Sequence, residues 1–264
     1  MLEVKNISKT FNPGTINEKR ALTNLSLSLN DGDFVTVIGG NGAGKSTLLN
    51  AVAGVWPVDG GAVIIDGMDV TGMPEYKRAK YIGRVFQDPM MGTAPNMQIE
   101  ENLALAYRRG KKRGLRWGVT AAEREFYREK LATLGLGLED RLTAKVGLLS
   151  GGQRQALTLL MASLQTPKLL LLDEHTAALD PATAQKVLEL SDRIISENKL
   201  TALMITHNMS DAIRHGNRLI MMDRGRIVLD ISGEEKKRLT KADLLARFAE
   251  KAGVQEETDS VLLS

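Results

Sequence analysis

The stretch from Phe34 to Leu49 holds the first residues whose types and spacing imply a reaction. Gly39, four intervening residues and Gly44-Lys45-Ser46 make the P-loop spacing G-x-x-x-x-G-K-[ST]. Glycines let successive backbone N–H groups turn inward with no Cβ in the way. Gly39, Gly40, Asn41, Gly42, Ala43 and Gly44 are therefore candidates to cradle phosphate oxygens. Lys45 reaches the β- and γ-phosphates in such a loop, and the Ser46 hydroxyl is a ligand for Mg²⁺. Thr47 follows in the first turn of a helix whose positive N-terminal end adds to the attraction. A glycine-rich turn with no ligand is the plain alternative. The apolar run Phe34–Ile38 before the loop and the helical pattern after it favour nucleoside triphosphate binding.

A second chemical stretch is Leu169-Leu170-Leu171-Leu172-Asp173-Glu174. Four leucines predict a strand buried on both faces, which delivers two carboxylates at its C-terminal end. Side chains alternate along a strand, so the two acids have separate tasks available. In P-loop NTPases the first carboxylate, here Asp173, helps to hold Mg²⁺, leaving Glu174 to polarise an attacking water. The alternative is a strand that ends in solvent with two idle acids.

A third stretch, Leu149-Ser150-Gly151-Gly152-Gln153, precedes apolar positions Leu157, Leu160, Met161 and Leu164 at i, i+3, i+4, i+7. Ser150 and the bare backbone of Gly151 and Gly152 at a helix start make a second candidate anion site, with Gln153 beside them. One chain thus carries two phosphate-binding devices.

This set resembles the ATP-binding cassette (ABC) ATPases, whose signature motif is Leu-Ser-Gly-Gly-Gln, and the resemblance covers most of residues 1 to 230. It implies that Phe11 stacks on adenine and that Gln87, in Val85-Phe86-Gln87-Asp88, is the Q-loop glutamine that senses Mg²⁺ and links to a membrane partner. It makes Ala178-Leu179-Asp180 a D-loop that communicates across a dimer, and His207 a switch histidine on the γ-phosphate. Taken alone, a strand-end histidine is more often structural. The catalytic set implied is Glu174, His207 and Gln87, with Ser46, Gln87 and Asp173 at the metal and ATP with Mg²⁺ as the bound groups.

One position departs from the family. His175 stands where proline usually follows the two acids, either tuning the neighbouring base or as a tolerated loop substitution. The stretches Gln87–Thr93 and Asp173–Ala184 are similar to a bacterial importer branch that works with amino-acid-type permeases. The resemblance implies a head-to-tail dimer with a second ABC ATPase subunit and transmembrane permease subunits. It also implies an extracellular binding protein acting indirectly, and a place at the cytoplasmic face of the cell membrane. Two other classes stay open: a soluble ABC protein acting on nucleic acid or the ribosome, and a non-hydrolysing ATP-gated module.

The elements that must position these residues suit this reading. The chain of 264 residues is long enough for one large domain or two small ones, and its absence of cysteine excludes disulfides and cysteine-ligated zinc. No apolar run is long enough for a membrane helix. Net charge is only +3, but Arg108, Arg109, Lys111, Lys112, Arg113 and Arg116 crowd together before Trp117. That cluster suits nucleic acid, anionic lipid or a docking partner, or is simply a solvated loop; no nucleic-acid-reading motif accompanies it.

Strands are expected at Leu2–Phe11, Leu25–Asn30, Phe34–Ile38, Ala62–Asp66, Ile82–Gln87, Lys168–Asp173, Ala202–Thr206, Leu219–Asp223 and Ile227–Asp230, and a helix at Ala121–Leu134. The predicted class is α/β: a P-loop NTPase core with an antiparallel β layer and an inserted helical subdomain. Residues 1–87 and 151–232 form the nucleotide-binding core, 88–150 the helical signature subdomain, and 233–264 a charged helical tail ending in a poorly ordered segment. His215, outside every motif, reads as a surface residue.

Overall fold

A computed structural model describes residues 1–111 and 118–252 of the chain. In order, the elements open with β1 (Leu2–Phe11), β2 (Lys19–Leu29), β3 (Phe34–Ile38), α1 (Lys45–Ala53), β4 (Gly60–Ile65), β5 (Met68–Asp69) and α2 (Glu75–Arg78). They continue with β6 (Ile82–Val85), α3 (Ile99–Tyr107), α4 (Ala121–Ala132), a 3-10 turn at Val146–Leu148, α5 (Gly151–Ser163), β7 (Leu169–Asp173) and α6 (Pro181–Glu197). The described chain closes with β8 (Ala202–Ile205), α7 (Met209–Arg214), β9 (Arg218–Asp223), β10 (Arg226–Ser232), α8 (Gly233–Lys237) and α9 (Lys241–Ala252). The class is α/β, as the alternation of apolar strands and amphipathic helices predicts.

Packing divides the chain into two compact units. The first joins Met1–Arg78 to the described chain from Lys199 onward. Its antiparallel layer has the order β2-β1-β4-β5, with β1 meeting β2 from Leu2↔Leu29 to Phe11↔Lys19. Alternation along β2 buries Leu25, Leu27 and Leu29 and exposes the serines between them. In the same unit β3 runs parallel to both β8 and β9, and β10 turns back antiparallel on β9. Every residue of β3 and β8 is buried, as strands covered on both faces require. The β9–β10 turn has Arg224 at φ 45 and Gly225 at φ 74, the left-handed pair of a tight two-residue hairpin.

The helical tail is docked over its described part. Leu239 of the α8–α9 connection, with Leu244 and Phe248 of α9, packs into one apolar cluster with Leu229 and Ile231 of β10 and Met209 and Ala212 of α7. Full burial of such side chains is worth about 2 kcal/mol each. The segment expected to be poorly ordered lies mostly outside the described residues.

The second unit is Ala79–Asn198. Here β6 and β7 pair in parallel, Ile82↔Leu169 to Val85↔Leu172, and α5 lies close against β6. A Cβ on Gly83 would stand 2.4 Å from the Ala162 carbonyl oxygen, so glycine is what allows that approach. Helices α3 and α4 are tied by the bidentate pair Arg124–Glu100, at 2.6 and 2.8 Å. The pattern of the sequence puts boundaries at 87/88 and 150/151, whereas the compact units divide at 78/79 and 198/199. The difference arises because α5 packs on α3 and α4 as well as on β6 and α6, which a change of pattern along the chain does not register.

Candidate functional site

The glycine-rich loop of the first unit is shaped by its surroundings as much as by its ligand chemistry. Gly39 (φ 149), Gly42 (φ 80) and Gly44 (φ 100) all have positive φ. A Cβ would lie 2.2 Å from the Met222 carbonyl oxygen at Gly39, and 2.6 Å from that of Ala21 at Gly44. Ala43 N donates to Gly40 O at 3.1 Å, and Gly225 N to Ala43 O at 2.9 Å, so the β9–β10 turn braces the loop. Helix α1 begins directly after it, with Gly44 as N-cap and no side chain capping its first N–H groups. Those donors and the positive end of the helix suit a phosphate. Lys45 is buried and folds back over the loop, its Nζ donating to Gly39 O at 2.6 Å and Gly40 O at 3.2 Å. Ser46 is exposed beside it and Thr47 is buried.

Other expected residues of this unit stand as follows. Phe11, at the end of β1, is partly buried and meets Trp56 edge-on, ring centroids 4.9 Å apart. His207 is exposed just past β8, ahead of α7, whose N-cap is Asn208. Burial holds Asp211 of α7 above the ordinary carboxylate range, against the downward pull of His215, His207 and Arg214. His215 departs from the surface position its sequence context suggests: it is buried, and its carbonyl accepts from the ammonium of Lys236. It lies under α8, whose docking no motif announces.

In the second unit the signature stretch is a helix start in its own right. Ser150 Oγ accepts from Gln153 N at 3.2 Å, and Gln153 Oε1 accepts from Ser150 N at 3.2 Å, a reciprocal capping box. Gln153 is thereby committed to the cap. The serine hydroxyl uses only acceptor capacity in that contact, so its O–H is still a donor for an oxyanion. A Cβ on Gly152 would lie 2.2 Å from Thr183 Cγ2, and one on Gly151 would lie 3.3 Å from Leu179 Cδ2. The glycines therefore let α5 approach α6 and the Ala178-Leu179-Asp180 turn. Ser150, Gly152, Gln153, Thr183, Lys186 and Arg193 border a cavity of about 560 Å³. Asp180 accepts from Thr183 N at 3.1 Å as the N-cap of α6, and its hydrogen bonds to Thr183 hold its carboxyl below the usual range.

The strand of four leucines is fully buried and ends at a largely buried Asp173. Glu174 follows with φ 44, an unusual conformation for a residue with a side chain and one that clusters at functional sites. Gln87 is exposed after β6, and the carbonyl before it, Phe86 O, accepts from Gln155 Nε2 of α5 at 3.2 Å. His175 is buried, with Nε2 2.9 Å from Ser191 Oγ of α6, so it anchors the loop after β7 to that helix.

Ser46 offers a hydroxyl in the first unit and Asp173 a carboxylate in the second, each a hard oxygen of the kind Mg²⁺ takes. Among the described residues no group of three His, Cys, Asp or Glu gathers to hold a metal.

Two arginines belong to no motif and give no signal in the sequence. Arg78, 2% exposed, donates to Met73 O, Ala51 O, Val52 O and Thr71 O, capping the C-terminal end of α1. Burial pulls its guanidinium below the ordinary value, with Asp69 pulling the other way. Arg84 of β6 reaches Asp173 at 3.4 Å. The basic cluster is partly internal: Arg108 pairs with Glu123 at 2.8 Å, Arg109 Nη2 donates to Ala162 O at 3.0 Å, and Lys111 sits 3.8 Å from the Tyr107 ring centroid. Lys112, Arg113, Arg116 and Trp117 lie outside the described residues.

Comparison with known proteins agrees with this arrangement of motifs. The family model described as "ABC transporter" matches residues 22–177. A tyrosine transport ATP-binding protein of Clostridioides difficile is 46% identical over 253 residues, covering 94% of this chain and 98% of that protein. A spermidine/putrescine import ATP-binding protein of Haemophilus influenzae is 32% identical, and the match covers 98% of this chain but 65% of that protein's length. Among solved structures, the ATP-binding cassette MJ0796, in a dimeric post-hydrolysis state bound to ADP and Pi, superposes with a TM-score of 0.75 at 30% identity, covering 88% of this chain and 98% of the other. No helix among the described residues is long and apolar enough to cross a membrane.

Proposed function

Because this chain belongs to the ABC transporter family, we propose that it is the ATP-hydrolysing subunit of an importer for a small solute, an amino acid in particular. The observation that carries the substrate class is the 46% identity to a tyrosine transport ATP-binding protein along 98% of that protein's length. Import ATPases named for other solutes match at lower identity, such as 32% for the spermidine/putrescine protein.

The assigned roles follow the chemistry of each residue. Gly39 to Thr47 hold the phosphates, with Lys45 turning from the loop carbonyls to the β- and γ-phosphate oxygens. Phe11 offers an aromatic surface to adenine. Ser46 and Asp173 hold Mg²⁺, with Gln87 on the same ion. When bound, Mg²⁺ neutralises charge on the phosphates and polarises them. Glu174 takes a proton from the attacking water, and His207 donates to the γ-phosphate. The free O–H of Ser150 and the N–H groups beside Gly152 contact the γ-phosphate held by a second copy, so two chains pack head-to-tail. The segment 88–150, with the signature at its end, is the part that signals to permease subunits at the cytoplasmic face of the membrane. A binding protein outside the cell acts on the permease and not on this chain. Loss of the γ-phosphate removes the bridge between copies and lets the dimer reopen.

The test is reconstitution. The chain is co-purified with the permease it associates with, placed in liposomes with ATP on the cassette side, and assayed for uptake of labelled tyrosine and other amino acids. ATP-dependent uptake of an amino acid is expected. ATP hydrolysis that no amino acid stimulates, with no uptake, would overturn the substrate class while leaving the ATPase in place.

A further inference from the structure

Two side chains that no motif pairs meet on one face of the β6–β7 strand pair. In the parallel register Arg84 stands opposite Leu171, so Asp173, two residues further along β7, projects from the same face. The Arg84 guanidinium lies 3.4 Å from Asp173 Oδ2, and the two side chains are only 12% and 17% exposed. The guanidinium also lies over the Phe86 ring, 4.5 Å from its centroid. Its geometry is therefore set by the fold and not by a mobile surface chain.

Asp173 is the carboxylate assigned to Mg²⁺ under the proposed function, and the role of Arg84 rests on that reading. A carboxylate has lone pairs enough for two partners, but a guanidinium and a divalent cation drawn to the same group repel one another. In a half-buried site that repulsion is screened less than at a solvated surface. We propose that Arg84 is a built-in competitor for the metal. It holds the Asp173 carboxylate before nucleotide arrives and lowers the affinity of the site for a lone divalent ion. Metal then enters together with the triphosphate, whose negative charge offsets the guanidinium. Arg84 is a positioning residue in this scheme: it acts through Asp173 and touches no reacting atom.

The experiment titrates Mn²⁺, read by electron paramagnetic resonance, first without nucleotide and then with a non-hydrolysable ATP analogue. Without nucleotide, Arg84→Met is expected to tighten Mn²⁺ binding on the order of ten-fold, and with the analogue the gain is expected to shrink. Arg84→Lys, which keeps the charge, is expected to stay within about three-fold of the unsubstituted protein. Arg84→Gln gives the same direction as Arg84→Met and replaces it where the methionine variant does not fold, with ADP binding in EDTA as the check on folding. Unchanged or weaker Mn²⁺ binding in the neutral variants overturns the proposal. The unsubstituted protein tests the premise separately. If nucleotide induces no Mn²⁺ signal there, the metal site itself is wrongly assigned and the inference falls with it. If the signal is present but insensitive to Arg84, only the inference falls.

Discussion

His175 Nε2 lies 2.9 Å from Ser191 Oγ, and both residues are buried. The serine hydroxyl has one hydrogen, which it gives to Val187 O at 2.8 Å. The imidazole is therefore the donor, through Nε2–H, and the contact is a strut between the loop after β7 and helix α6. His175→Ala is expected to leave that acceptor unmet and open a cavity, costing about 2 kcal/mol of stability. Urea denaturation with an unchanged slope would read the loss as a lower midpoint. A midpoint within error of the unsubstituted protein would return His175 to the status of a tolerated loop residue.

Arg78 makes a parallel case at the far end of the phosphate-loop helix. Its guanidinium satisfies carbonyls of Ala51 and Val52 at 2.9 and 2.8 Å. Arg78→Met is expected to strand these buried acceptors and cost about 3 kcal/mol. Arg78→Lys recovers only part of this, because an ammonium cannot reproduce the planar fork. Equal midpoints for the lysine variant and the parent would refute the geometric argument.

At the loop itself, Lys45→Ala removes a positive charge facing the phosphate site. Calorimetric titration with ATP and Mg²⁺ is expected to show much weaker binding, with circular dichroism confirming an intact fold. The control matters, because Lys45 also donates to Gly39 O and Gly40 O within the loop. Unchanged affinity would count against the phosphate-loop assignment.

Glu174→Gln keeps shape and nucleotide binding but removes the proton acceptor. Steady-state phosphate release is expected to fall at least about 10²-fold. The same variant should move from monomer toward dimer when ATP is added, since bound nucleotide stabilises the assembly and is not consumed. Turnover near that of the parent would remove Glu174 from the role of base.

Two half-sites on one chain make a prediction about mixtures. Ser150→Arg places bulk and charge where the γ-phosphate of a neighbouring copy would sit. Dimers of Ser150→Arg alone, or of Lys45→Ala alone, are expected to be inactive. Mixing the two gives heterodimers in which one intact phosphate loop faces one intact signature, so partial activity should return. Mixed dimers that form but hydrolyse nothing would end the head-to-tail reading.

Chemistry is legible in the amino-acid sequence wherever the acting residues share one turn. Gly39 to Ser46, Ser150 to Gln153 and the pair Asp173-Glu174 are contiguous, and their function depends on local backbone shape that residue type dictates. Alternating or unbroken apolar runs likewise mark β2, β3 and β7, because burial of one face or both leaves a period in the chain.

Relationships between residues far apart come from tertiary packing alone. Arg84 reaches Asp173 across 89 positions because β6 pairs with β7, and Arg78 reaches Ala51 across 27 because its α2 turn folds back under α1. His215 is buried because α8 closes over it through Lys236. The glycines of the phosphate loop and signature belong to both groups. Their spacing announces phosphate binding, but the close approach of Met222 O to Gly39 and of Thr183 to Gly152 is set by neighbouring elements. A lone arginine or histidine carries no period and no spacing. Its role is fixed by sheet register and helix docking, and these minimise free energy over the whole chain and not over any window of it.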